Sequence, residues 1–138
     1  MTKLTRHAIR QTAFQTLFGL SANPEANVSD VVLQVLAGDP EIEWTDEAPV
    51  EVVNLVENVR AHATEADLLI SEHLAAGWTL DRLNRVDLEL MRLAIYEATF
   101  GDVPTKVAVD EALNLARDFT DDTSSKFING VLSKVLTF

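Results

Sequence analysis

Residues 86–97 read VDLELMRLAIYE, and the fold turns on how this stretch is read. At 3.6 residues per turn, Leu90, Leu93, Ala94 and Glu97 share one side, while Leu88, Met91, Ile95 and Ala98 line the adjacent one. No stretch of the chain alternates convincingly as a strand would. A helix apolar on two sides has neighbours on two sides, so this segment is expected to be central, with other helices packed around it.

The flanking chain supplies those helices. Gly101-Asp-Val-Pro104 ends the central helix and starts the next. From Lys106 to Phe119, the residues Val107, Ala108, Ala112, Leu115, Ala116 and Phe119 are candidates for burial. A last helix would bury Phe127, Val131, Leu132 and Val135, and Asp121, Asp122 and Thr123 would cap it. Its Gly130 costs roughly 1 kcal/mol against Ala inside a helix. A close approach by a neighbour is the expected compensation.

Upstream, Trp78 and Leu80 read as core around a short turn capped by Thr79, and Gly77 closes the unit before it. Thr64-Glu-Ala-Asp67 resembles a capping box that starts or re-registers a helix through Leu68, Leu69 and His73. Pro49 suits a first turn, followed by Val52, Val53, Val56 and Val59 at helical spacing. Residues 38–49, GDPEIEWTDEAP, form an acidic connector tacked down by Ile42 and Trp44. Before it, Asn27 or Ser29 can cap a helix carrying Val28, Val31, Val32, Val35 and Leu36 on one side. The first helix runs from about Leu4 to Leu20, stopped by Ser21-Ala-Asn-Pro24. The expected fold class is all-α, with about seven helices and no strand.

That first helix is chemically divided. Its opening carries Lys3, Arg6, His7 and Arg10, and its second half carries Phe14, Leu17 and Phe18. No acid precedes Glu25, whereas the whole chain holds 22 acids against 11 Lys and Arg, a net charge of −11. A positive end on an acidic body is an anion contact of the kind that meets RNA, provided its first turns overhang the core. Solvated ends of an ordinary helix account for these residues equally well at this point.

The totals narrow the class. At 138 residues one compact domain is the default, and 47% hydrophobic content argues against disorder. Without cysteine there is no disulfide scaffold, thiol nucleophile or thiolate metal site, in keeping with a cytoplasmic protein. No run of about 18 apolar residues offers a membrane span, and no secretory signal is read at the start. His7, His62 and His73 show no i, i+4 pairing, and no phosphate-loop, dinucleotide or nucleophile-elbow motif occurs. No catalytic residue, cofactor or metal site is expected.

Ser124-Ser-Lys-Phe127 opens the last helix with hydroxyls, a cation and an aromatic ring. Helix starts present backbone N–H groups to phosphates, and an exposed Phe can stack on a base. Phe127 serves equally well as a core residue when taken alone.

Four stretches together resemble the NusB family of bacterial transcription antitermination factors. They are Arg6-His-Ala-Ile-Arg-Gln-Thr-Ala-Phe-Gln-Thr-Leu-Phe18, Met91-Arg-Leu-Ala-Ile-Tyr-Glu97, residues 103–117 (VPTKVAVDEALNLAR) and Lys126-Phe-Ile-Asn-Gly-Val-Leu132. The resemblance runs the length of the chain in the right order. It implies two small helical bundles packed together, about 1–76 and 77–138, and no enzyme activity. It implies binding of boxA-type single-stranded RNA, largely with the ribosomal protein NusE, inside the elongating RNA polymerase complex with NusA and NusG on ribosomal RNA operons.

By residue matching, the RNA contacts implied are Lys3, Arg6, His7, Arg10, His73, Ser124, Ser125, Lys126 and Phe127. The partner surface implied includes Phe18 and Asp87. His73 stands where the family has a stronger stacking aromatic, and Leu88 where a basic residue is usual. These departures point to dependence on a basic partner. The alternative is a non-enzymatic protein-interaction domain related to the N-terminal part of ribosomal RNA methyltransferases. The two-sided central helix also leaves room for a homodimer face.

Overall fold

The computed structural model describes residues 3–137, in which every regular element is helical. Seven α-helices occur among these residues: α1 (Arg6–Ala22), α2 (Val28–Ala37), α3 (Val50–Ala61), α4 (Ala63–Glu72), α5 (Arg85–Thr99), α6 (Thr105–Phe119) and α7 (Asp122–Leu136). A 3-10 turn, Leu80–Arg82, lies between α4 and α5. The chain divides into two compact units, one ending at Arg60 and the other beginning at Ala61. The expected division lay near Gly77, so α4 belongs with the second unit. Helices α4, α5 and α7 pack on one another there, which the sequence pattern alone did not reveal.

In the first unit α1 packs on α2. Helix α1 starts at Arg6 rather than Leu4, because Thr5 is its cap: Thr5 Oγ1 accepts from the Ala8 N–H at 3.1 Å. Its buried stripe holds Ala13, Phe14, Leu17 and Leu20. Asn27, not Ser29, caps α2, accepting from the Asp30 N–H at 3.0 Å. Helix α2 contributes Val32 and Leu36 to the core, and α3 contributes Val52, Val56 and Val59. Full burial of such side chains stabilises by about 1.5–3 kcal/mol each. In the acidic connector Trp44 Nε1 donates to the Glu47 carbonyl at 2.7 Å. Arg60 Nη2 donates to the Pro24 carbonyl at 3.0 Å and ties α3 to the turn before α2.

In the second unit α5 packs on α4, α6 and α7, the central position its two apolar sides predict. Leu90, Met91, Leu93, Ala94 and Ile95 are all buried. Helix α6 buries Ala108, Val109, Ala112, Leu115 and Ala116. Val109 takes the place expected of Val107, whose side chain is exposed. Around the end of α5, His62, Tyr96 and Phe100 gather, with the His62 and Phe100 rings 4.2 Å apart.

Three further expectations are corrected. The Thr64–Asp67 capping box does not form: α4 begins at Ala63, and the Asp67 carboxylate is held by Arg92 instead. Trp78 is not core; half of it is exposed, with the Arg82 guanidinium over its ring at 5.1 Å. Gly130 meets no neighbour, and a methyl group there would enter open space. Gly77 does take a left-handed conformation, φ 87°, which ends the α4 segment in the way glycine permits.

Candidate nucleic-acid interface

The first unit presents the basic opening. Lys3 precedes α1 and is exposed, and Arg6 and His7 are exposed on its first turn. That turn contains no acid, so the positive end of the helix dipole and the side-chain charges have the same sign. Arg10, one turn on, is different. It is only 8% exposed and its side chain is engaged within the protein, so the expected overhang ends before it. Phe14 is fully packed, while Phe18 stays 41% exposed with its ring 6.4 Å from that of Phe14. A large aromatic half in water beside a buried one is a surface available to a partner.

The second unit holds the remaining candidates. His73 is the C-cap of α4 and is half-buried. Its Nδ1 lies 2.8 Å from the Leu69 carbonyl, which can only accept, so Nδ1 carries the proton. In the neutral ring Nε2 is left as an acceptor.

At the start of α7, Asp121 Oδ1 accepts from the Ser124 N–H at 2.9 Å and the Asp121 carbonyl accepts from the Ser125 N–H at 3.0 Å. The expected cap is therefore Asp121. Asp121 and Asp122 are both exposed at the helix's positive end and already answer much of its dipole. Lys126, also exposed, is the cation this turn offers to a phosphate, and Phe127 beside it is half-buried.

The two hydroxyls of the motif face inward. Ser124 is 8% exposed, and its Oγ donates to Asp87 Oδ2 at 3.2 Å. Ser125 Oγ is buried without a hydrogen-bond partner. Asp87 is itself only 5% exposed. Its Oδ2 also accepts from Asn84 Nδ2 at 3.2 Å, whereas Oδ1 is buried with no partner. Burial pushes this carboxyl above the usual range; the Ser124 hydrogen bond pulls it back, and the nearby Asp121 charge raises it again. Of the residues matched to the family's sites, the structure thus joins Asp87 and Ser124 by a direct bond. It sets Lys126 and Phe127 on the same opening turns as Ser124.

Sequence reading missed that Asp87 and Ser124 share one buried network. The signal present was weak: an Asn84-to-Asp87 spacing, which marks a helix start without saying what lies across from it. It also missed the exposed Trp78–Arg82 stack, placed in a turn by Gly77 and Thr79.

Among the described residues no group of three or more His, Asp or Glu side chains could hold a metal, and no helix is long and apolar enough to cross a membrane. The helical architecture, with a basic lead-in to its first helix and a Lys–Phe pair at the start of its last, is that of a binding module. Residues 7–137 match the NusB family, and the chain belongs to it. It is 48% identical over 134 residues to the transcription antitermination protein NusB of Lactiplantibacillus plantarum, spanning 96% of this chain and 95% of that protein. Its fold is similar to that of NusB from T. maritima, with a TM-score of 0.80 at 28% identity over 99% of this chain and 93% of the other. It is similar also to the NusB of a crystal structure that contains NusB and NusE in complex with double-stranded RNA. There the TM-score is 0.79 at 28% identity, covering 96% of both chains. The function of the chain is that of its family, transcription antitermination, and the family is non-enzymatic.

Proposed function

We propose that this chain binds boxA-type single-stranded RNA in the cytoplasm as a complex with the ribosomal protein NusE, and that this complex acts with NusA and NusG on RNA polymerase elongating through ribosomal RNA operons. The observation that supports NusE and RNA as partners is a NusB of the same fold solved together with NusE and double-stranded RNA; the boxA-type single strand comes from the family resemblance. Lys3, Arg6, His7 and Arg10 from the first unit, and His73 and residues 124–127 from the second, are the proposed RNA contacts. Within that set Lys3, Arg6 and Lys126 are the exposed full charges. Phe18, and the start of α5 at Asp87, are the proposed partner-facing positions.

The net charge of −11 sets a physical limit on unaided binding. Few phosphates can be neutralised by so few exposed cations, so a basic partner raises RNA affinity. Neutralising about three phosphates of a single strand gives a log–log salt slope of about −2.

A gel-shift titration of boxA RNA, with and without NusE, tests this. The expected result is weak binding alone, tighter binding with NusE, and the shallow salt slope. Equal affinity for boxA and a scrambled RNA in the presence of NusE, or failure of the two proteins to co-elute at micromolar concentration, overturns it.

A further inference from the structure

Asp87 and Ser124 lie 37 residues apart and occupy equivalent places on their helices. Each is the third residue after a side-chain cap, Asn84 for α5 and Asp121 for α7. Each backbone N–H is taken by its own cap, at 2.8 and 2.9 Å. The local needs of both helix starts are met without the carboxylate's second role. That role is the Ser124 bond, which joins the two starts across the packed pair α5 and α7.

Burying an Asp side chain as deeply as Asp87 is expensive, and an exposed Asp would complete the α5 start at less cost. What burial adds is a fixed setting for α7. Ser124 and Ile128, four residues apart, both point into the core. Lys126 stands two residues from Ser124, about 200° around the helix, and is exposed. Rotating the first turn of α7 to release Ser124 would swing Lys126 and Phe127 with it.

We propose that Asp87 is a positioning residue for RNA: by accepting from Ser124 it fixes the rotation of the opening turn of α7, and so the presentation of Lys126 and Phe127. This role is exerted through Ser124 and is separate from the partner-facing position proposed for the start of α5. This inference rests on the reading of the α7 start as an RNA contact.

The test uses the full chain with NusE and boxA RNA, and compares Ser124→Ala, Asp87→Ala, Asp87→Asn and Lys126→Ala. Ser124→Ala removes one hydroxyl, and it approaches the bond from the side that carries no charge should Asp87→Ala fail to fold. Two readouts are taken: RNA affinity, and amide hydrogen exchange of residues 125–127 in the free protein. Ser124→Ala and Asp87→Ala each weaken RNA binding by about tenfold, the scale of one hydrogen bond to a charged group, and speed exchange at residues 125–127. The double variant is no worse than either alone. Asp87→Asn, which keeps an acceptor oxygen for Ser124, restores affinity to within about threefold of the parent.

Unchanged exchange at residues 125–127 in Ser124→Ala overturns the positioning role, whatever the RNA does. Additive losses in the double variant, or no rescue by Asp87→Asn, overturn it as well. Unchanged RNA affinity in Lys126→Ala removes instead the assignment of the α7 start as an RNA contact.

Discussion

Arg92 holds Asp67 with two arms of its guanidinium, Nε to Oδ1 and Nη2 to Oδ2, both at 2.7 Å, and so fastens α5 to α4. Its Nη1 also reaches Glu89 at 3.2 Å, one turn back on its own helix. The Asp67 hydrogen bonds raise the guanidinium pKa, with burial opposing. Both side chains of the fork are under a quarter exposed, and Glu89 is nearly fully buried. Arg92→Met leaves Asp67 without its fork and removes one of the contacts of Glu89, and should cost about 3 kcal/mol of stability. Arg92→Lys keeps the charge but loses the planar fork, and should cost about 1–2 kcal/mol. Urea unfolding followed by circular dichroism checks both, and equal stability of Met, Lys and Arg at this position would mean the fork holds nothing.

The buried Asp87 carboxyl makes a prediction about pH. Its folded pKa is raised, chiefly by burial, above the 3.8 of an ordinary aspartate. Below that ordinary value both folded and unfolded chains hold the proton, and the group exacts no penalty. As pH rises through the raised folded value the unfolded chain has already released its proton, so the folded state loses relative stability. Asparagine cannot ionise. The stability of Asp87→Asn relative to the parent should therefore climb as pH rises above about 4 and level off once the folded carboxyl has ionised. Urea midpoints of the two proteins across that range give the difference directly, with the titration of the other carboxylates cancelling. A difference flat in pH would contradict the raised value.

Arg6 and Arg10 separate exposure from charge. Both are basic residues of α1, but Arg6 is in water and Arg10 is buried and engaged. Arg6→Ala should change stability by under about 0.5 kcal/mol. Arg10→Ala should cost about 1–3 kcal/mol, through lost packing of its stem and the partner group left behind. Both should weaken RNA binding. Thermal unfolding of the two variants beside the same gel shift distinguishes them, and a fully stable Arg10→Ala protein would show that its burial is incidental.

The difference between these arginines marks what the sequence could not disclose. Helical periodicity located α5 and its two buried sides, because a stripe of Leu, Met and Ile has few alternatives once strands are excluded. Caps were legible to within a few residues, Asp121 among Asp121, Asp122 and Thr123, and Asn27 beside Ser29. Tertiary choices were not legible. Asp67 sits three residues after Thr64 as a capping box requires, but the bond to Arg92 on another helix took its carboxylate. Trp78 reads as core by its chemistry, yet the turn at Gly77 leaves half of it in water under Arg82. For the candidate site, the sequence pointed to the 124–127 stretch. It could not tell that the two serines face inward and only Lys126 faces fully out, since that depends on which side of α7 meets α5.

Of two glycines with open surroundings, Gly130 is dispensable and Gly77 is not. Gly130 lies inside α7 with helical backbone, and a methyl group placed on it meets nothing within 4 Å. Glycine there gives up backbone entropy on folding and gains no contact in return. Gly130→Ala should therefore stabilise the protein by about 0.5–1 kcal/mol. Gly77 has equally open surroundings but φ of +87°, a conformation that a side chain disfavours whatever the space. Gly77→Ala should destabilise by about 1–2 kcal/mol. Paired urea titrations should move the midpoints in opposite directions. A destabilised Gly130→Ala protein would mean that α7 has a neighbour at this position in solution, most simply a second copy of the chain, and its unfolding midpoint would then depend on protein concentration.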